Sequence, residues 1–353
     1  MSASIELEVD GRTVAISNPD KVYFTQRGET KLDLVRYYQA VAEPFLGVVR
    51  DRPLLLERYP DGASGKSWFQ KRVPKTAPDW LHTVEVSTPN GTTSDALVAH
   101  DLAHILWAVN QGCLGFHVWP THAGAEARST APPVFDAAGT ELPPTGITDE
   151  LRIDLDPSPG ITLDDLKFAA VCTRELCAEL GIDSRVKTSG SRGLHIYALL
   201  EPNWDGYQVR AAAVALAREL ERRHPEQITA SWWKEERGNR VFVDFNQNAP
   251  HRTVFGAWCV RPKVGAQVST PIAWSDLDAV IPEELTIATV PARVAESGDP
   301  WGDRTPQSIA PLLEMSERDM AAGLMDAPWP PVYPKMPNEP PRVQPSKAKK
   351  ESS

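Results

Sequence analysis

The sequence predicts an α+β fold in which mixed and antiparallel sheets are flanked by helices, and two observations carry that expectation. Residues 151–157, 194–197 and 240–246 alternate apolar with polar side chains, the period-two pattern of half-buried strands. Residues 30–45, 162–181 and 207–224 repeat apolar side chains at helical spacing. With 353 residues, 41% of them hydrophobic, the chain can bury a sizeable core. No linker-like stretch separates the strands. Residues 1–300 are therefore expected to form one main domain, 301–335 an extension packed on it, and 336–353 a disordered basic tail.

Along the chain, Thr30 and Asp33 outline a capping box that opens a helix with Val35, Tyr38, Val41 and Phe45 on its apolar face. The net charge of −10 is unusual for a nucleic-acid binder, but it hides a local excess. Arg50, Arg52, Arg58, Lys66, Lys71, Arg72 and Lys75 outnumber Asp51, Glu57 and Asp61. Trp68 and Phe69 sit inside that stretch, and aromatics interleaved with cations suit stacking on unpaired bases beside a phosphate track. The alternative is that both rings are core residues of an edge strand. His100 and His104 have the spacing of a zinc-protease helix, yet Asp101 is one methylene too short for that enzyme's base and no third ligand is evident. Satisfied histidines explain the pair better.

Three segments carry the chemistry. In 151–157, Asp154 and Asp156 fall on one face of a strand, roughly 6 to 7 Å apart at their bases, where they can converge on two hard cations about 3.5 to 4 Å apart. The turn at 187–197 is punctuated by Gly190 and Gly193, which clear the backbone for an anion, while Ser189, Arg192 and His195 offer donors to phosphate oxygens. It lacks the spacing and the following helix of a P-loop. In 240–246, Asp244 opposes Val241, Val243 and Phe245 and is a third candidate ligand, although Arg237 or Arg240 offers it a salt bridge instead. Thr162 caps a helix that Gly181 ends, and a third helix at 207–224 becomes strongly charged toward its C-terminal end.

These motifs, in this order, resemble the archaeo-eukaryotic primase superfamily. Joined with Ser17–Val22, Trp68-Phe69-Gln70-Lys71, Phe116-His117-Val118 and Phe242–Asn248, they are similar to the polymerase domain of bacterial DNA ligase D over residues 5 to 300. The resemblance implies a primase catalytic core with an RRM-like subdomain. It also implies that Asp154, Asp156 and Asp244 hold two ions, Mn2+ or Mg2+. Ser189, Arg192, His195, Arg237 and Arg261 would then hold the incoming triphosphate, with His117 and Gln247 near its sugar or base. Lys21 and Lys31 match positions that recognise a downstream 5′-phosphate, and Trp68, Phe69 and Lys71 are candidate DNA contacts. Two departures stand out: Arg192 replaces a lysine and Glu57 replaces a basic residue.

The expected activity is template-dependent, two-metal addition of nucleotides, ribonucleotides preferred, to a 3′-hydroxyl at gaps or broken ends of DNA. A metal nuclease or phosphodiesterase and a non-catalytic 5′-phosphate- or end-binding module are the rivals. DNA and NTP or dNTP are the expected partners, with a separate ligase and an end-binding protein as further candidates. The chain reads as a monomeric, stand-alone, actinobacterial-type polymerase without a ligase module. Cys113, Cys172, Cys177 and Cys259 form no C-x-x-C pair, so no zinc module is expected. The lack of a signal peptide, lipidation motif or long apolar run predicts a cytoplasmic protein with no membrane partner.

Overall fold

The alternating acids at 151–157 lie in the interior of a six-stranded sheet, and the rest of the chain is arranged around it. A computed structural model describes residues 4–88, 91–124, 132–143 and 145–342. The chain opens with the hairpin β1 (Ser4–Val9) and β2 (Arg12–Ser17), the short pair β3 (Val22–Phe24) and β4 (Glu29–Thr30), then α1 (Lys31–Ala40) and α2 (Ala42–Val49). Strands β5 (Pro53–Arg58), β6 (Trp68–Gln70), β7 (His82–Ser87) and β8 (Thr93–Val98) lead through α3 (Leu102–Asn110) to β9 (Cys113–Val118). Then come β10 (Glu150–Pro157), α4 (Leu163–Glu179), β11 (Arg185–Thr188), β12 (Leu194–Leu199), α5 (Gly206–Arg223), β13 (Ile228–Thr229), α6 (Lys234–Arg237) and β14 (Val241–Asp244). The described chain closes with β15 (Val254–Phe255), β16 (Pro271–Ile272), α7 (Val290–Ser297) and α8 (Ala310–Ala321).

The sheet of the acids runs β13-β14-β10-β12-β11-β16, antiparallel except for β13 against β14. A second sheet runs β15-β9-β5-β8-β7, with β6 paired to β5. Leu151, Ile153 and Leu155 are buried on one face of β10 with α4 and α5 packed on the sheet, which leaves Arg152, Asp154 and Asp156 on the other. Two cations of the first sheet reach the second. Arg152 Nη1 donates to Val118 O at 3.0 Å, and Lys187 Nζ donates to Phe255 O at 3.2 Å. Each end is buried, so these bonds hold β9 and β15 opposite the acids.

Both predicted caps form: Thr30 with Asp33 and Thr162 with Asp165 close reciprocal capping boxes, each worth about 1 kcal/mol. The helix expected over 30–45 breaks at Val41, because Pro44 has no N–H for the turn before it and its ring would strike the Ala40 carbonyl. Its apolar face survives, with Val35, Tyr38, Val41 and Phe45 fully buried. The strand expected over 240–246 ends at Asp244, whose side chain accepts from Asn246 N at 2.9 Å and turns Phe245–Asn248 into a 3-10 helix. His100 lies outside α3, since Asp101 is the N-cap, and the zinc-protease geometry is absent. Residues 336–342 depart from the expected tail: Met336 and Glu339 are buried, and Glu339 Oε1 accepts from Trp329 N at 2.9 Å. The basic residues after 342 lie outside the described residues. All four cysteines are buried and free. No helix among the described residues is long and apolar enough to cross a membrane.

Candidate active site

Register brings the predicted acids together. Asp154 on β10 stands directly opposite Asp244 on β14 and opposite His195 on β12, so all three side chains rise from one face, with Asp156 two residues along. Gln247 Nε2 donates to Asp244 Oδ2 at 2.8 Å and to Asp154 Oδ2 at 3.4 Å. It therefore bridges the two facing acids. Asp156 leans toward Arg237, 4.0 Å from Nη1, and the same guanidinium lies 3.5 Å from the centroid of Phe242. Arg240 bonds the carbonyls of Arg237 and Glu236 and does not reach Asp244.

Crowding of like charges sets the electrostatics. Burial, then the charges of Asp244 and Asp156, push the Asp154 carboxyl up to about 8, and burial also raises Asp244. His195 Nε2 lies 3.3 Å from Asp154 Oδ1, while its Nδ1 is buried without a partner. Burial and the neighbouring Lys187 and Arg261 hold this ring well below the usual histidine range, so it is neutral and stands beside an acid. Carboxylate oxygens that repel one another are a hard donor set, and they fit divalent cations. Among the described residues no three ligating side chains are closed into a finished metal set, since Gln247 bridges two acids and Asp156 leans away.

The glycine turn lies against Arg261, whose Nε donates to Ser189 O at 2.6 Å. Ser189 Oγ accepts from Ser191 N at 3.1 Å and Gly193 N at 3.0 Å, fixing the turn's curl. A Cβ at Gly193 would meet Leu155 O at 2.8 Å, and one at Gly190, where φ is +68°, would meet Arg261 Cγ at 2.8 Å. These glycines let the turn sit flush on β10 and Arg261. Arg192 is exposed at the tip, beside Lys263, whose Nζ donates to Ser191 Oγ at 2.6 Å. Across the cleft the Arg261 guanidinium stacks 3.8 Å from the Phe255 centroid, and the Phe255 ring meets His117 edge-on at 5.3 Å.

His117 Nε2 lies 3.2 Å from Glu57 Oε2. Burial pushes Glu57 up, but hydrogen bonds from His117 and Tyr59 outweigh it and leave the carboxyl below its ordinary range. Trp68 and Phe69 are 47% and 54% exposed, so they are not core residues. Phe69 meets His117 edge-on at 5.3 Å, and Arg58 lies 5.1 Å from the Trp68 centroid. Lys71, just past β6, lines a cavity with Leu55, Trp119, His251 and Arg252.

Lys31 N donates to Lys21 O at 2.9 Å, which sets the two lysines side by side along the backbone, and Lys31 is not exposed. Its ammonium donates to Ser17 O at 2.8 Å and Asn110 O at 3.1 Å, and only 4% of the residue meets solvent. Burial and the charge of Lys21 lower it to about 8. Lys21 Nζ donates to Pro60 O at 2.8 Å and to Asp61 Oδ1 at 2.6 Å.

Sequence reasoning missed two residues. Lys187 is fully buried, donates to Ser269 Oγ at 2.6 Å, and is lowered to about 7 by burial and by Arg261. Arg152 is buried one register step from the acids. A charged residue between two buried β-formers was the available signal for each.

Comparison with known proteins agrees with this geometry. Residues 30–301 match the family model described as LigD, primase-polymerase domain. The multifunctional non-homologous end joining protein LigD of Mycobacterium bovis is 32% identical over 286 residues, 81% of this chain and 36% of its own length. The bifunctional non-homologous end joining protein LigD of Bacillus subtilis is 29% identical, over 82% of this chain and 44% of its own length. The chain thus spans about a third to under a half of these relatives. The solved polymerase domain from Mycobacterium tuberculosis ligase D in complex with DNA superposes with a TM-score of 0.71 at 30% identity, covering 81% of this chain and 96% of that one. The cross-strand acids, the glycine turn and these matches together place the chain in the LigD primase-polymerase domain family of nucleotidyltransferases.

Proposed function

We propose that this protein adds nucleotides to the 3′-hydroxyl of a primer at gaps or broken ends of DNA, with ribonucleotides preferred. The observation that carries the reading is the pairing of Asp154 with Asp244 across adjacent strands, with Asp156 on the same face and the Ser189–Gly193 turn next to it. Asp154 and Asp156 would hold both ions and Asp244 would complete one site. When bound, two Mn2+ or Mg2+ ions neutralise charge on the attacking and leaving oxygens of the displacement.

The chain's own residues do the rest. Ser189, Arg192, Arg237 and Arg261 would hold the triphosphate by charge-assisted bonds, and the glycines bring backbone N–H groups close to it. His195, neutral and buried, keeps Asp154 in place without competing for charge. His117, held by Glu57 between the Phe69 and Phe255 rings, would face the sugar. Trp68 and Phe69 would stack on unpaired template bases. Lys21 and Lys31 would take the downstream 5′-phosphate in place of their present carbonyl and carboxylate partners.

One assay separates the three readings. The protein is mixed with a short gapped duplex bearing a 5′-phosphate, with Mn2+ and each nucleotide, and the primer band is followed. Extension supports the polymerase, shortening supports a nuclease, and an unchanged primer on bound DNA supports an end-binding module.

A further inference from the structure

Asp244 is aimed by a turn that is itself held from outside the family-matched region. Both oxygens of Asp244 are engaged by residues of that turn: Asn246 N donates to Oδ1 at 2.9 Å and Gln247 Nε2 to Oδ2 at 2.8 Å. The Asn246 side chain is buried and spans two anchors. Its Oδ1 accepts from Arg210 Nε at 2.8 Å, and its Nδ2 donates to Pro328 O at 2.9 Å.

Arg210, on α5, is 1% exposed and spends its remaining donors on one segment. Nη1 reaches Asp326 Oδ1 at 3.1 Å, and Nη2 reaches Ala327 O at 2.9 Å and Pro328 O at 3.3 Å. Its guanidinium lies 3.8 Å from the centroid of Trp329 and 5.5 Å from that of Phe245, so it is packed between the segment and the turn. Trp329 in turn is held by Asp326 Oδ2, which accepts from Nε1 at 2.7 Å, and by Glu339. Ala249, Trp329, Tyr333 and Met336 form a small core of their own at the far end of the turn.

From this geometry we infer that residues 324–342, which lie beyond the matched residues 30–301, are a positioning clamp for the catalytic turn, acting on Asp244 through Arg210 and Asn246. The segment touches neither substrate nor ion. It restricts where the Asp244 carboxylate points, and a carboxylate misplaced by about 1 Å loses much of its value to chemistry. The inference rests on the reading of Asp244 as an ion-holding acid.

The test uses the full chain with Trp329→Ala, which removes the ring from Arg210 some distance from the acids, and Trp329→Phe, which restores a ring. Three quantities are read: hydrogen exchange of the peptide spanning 243–250, Mn2+ affinity by titration without DNA, and the single-turnover rate on a gapped duplex. Trp329→Ala should speed exchange in that peptide at least tenfold, weaken Mn2+ binding about tenfold and slow addition by at least as much. Exchange in β9 and binding to the gap should stay within twofold of wild type, and Trp329→Phe should recover most of each loss. Unchanged exchange and Mn2+ affinity in a folded Trp329→Ala protein would overturn the clamp. If that variant does not fold, Asp326→Asn is measured in the same way, and wild-type values there overturn it equally. Failure of the wild type to add nucleotides would instead defeat the polymerase reading, leaving the exchange measurement to decide the clamp alone.

Discussion

At the scale of single residues, Asp154 is the costly one. Its carboxyl sits at about 8 in the fold, against roughly 4 in an unfolded chain, because burial and two neighbouring acids disfavour its charge. The folded state therefore holds this proton more tightly than the unfolded state. Stability is unaffected at pH below the unfolded value and falls as pH rises from about 4 to about 8, by up to about 1.4 kcal/mol per pH unit. Asp154→Asn should accordingly be more stable than wild type without divalent ions, with an advantage that grows from pH 5 to pH 8. Adding Mn2+ should stabilise wild type and leave Asp154→Asn nearly unmoved. Denaturant melts at several pH values check this, and an advantage that is flat with pH would contradict it. His117 carries a second expectation. If it bonds the sugar's 2′-hydroxyl, a deoxynucleotide leaves its polar group unpaired, and single insertion of a ribonucleotide should be favoured over the matching deoxynucleotide at least severalfold. Equal efficiencies would remove that role.

At the scale of elements, the junction of β4 and α1 is where the 5′-phosphate expectation can be tested. Thr30 caps α1 and thereby sets Lys31 beside Ser17 and Asn110, next to Lys21. Because Lys31 is lowered to about 8, its charge and hence the preference for a phosphorylated over a hydroxyl-ended gap should fade as pH rises above about 8. Lys21→Ala with Lys31→Ala should erase the preference at any pH, and a preference that survives both places the pocket elsewhere. Elements are legible in the sequence where the signal is local. The Thr30 and Thr162 boxes, the alternation of β10 and the glycines of the 187–197 turn all depend on neighbours within a few residues. Even the break at Val41 is written there, in Pro44. The early end of β14 is not, because the cap that Asp244 places on the next turn competes with a strand pattern that Phe245 and Asn246 continue.

At the scale of the whole molecule, what the sequence hides is which surfaces meet. The three acids are legible as candidates, but their register depends on β10 lying between β12 and β14, and no short-range pattern specifies that order. Lys187 and Arg152 look like ordinary strand charges until β9 and β15 are seen to accept their bonds. The burial of Lys31 and of Met336 is hidden for the same reason, since each depends on a partner far along the chain. On this reading Asp154 and Asp244, brought opposite each other by this topology, perform the chemistry and do not merely hold DNA. The direct measurement pairs single-turnover nucleotide addition with equilibrium binding to a 5′-phosphorylated gap for wild type, Asp154→Ala and Asp244→Ala. Each substitution should slow addition by at least about a thousandfold, ~4 kcal/mol in the barrier, with gap affinity within about threefold of wild type. Addition retained within about tenfold in either variant would contradict the claim.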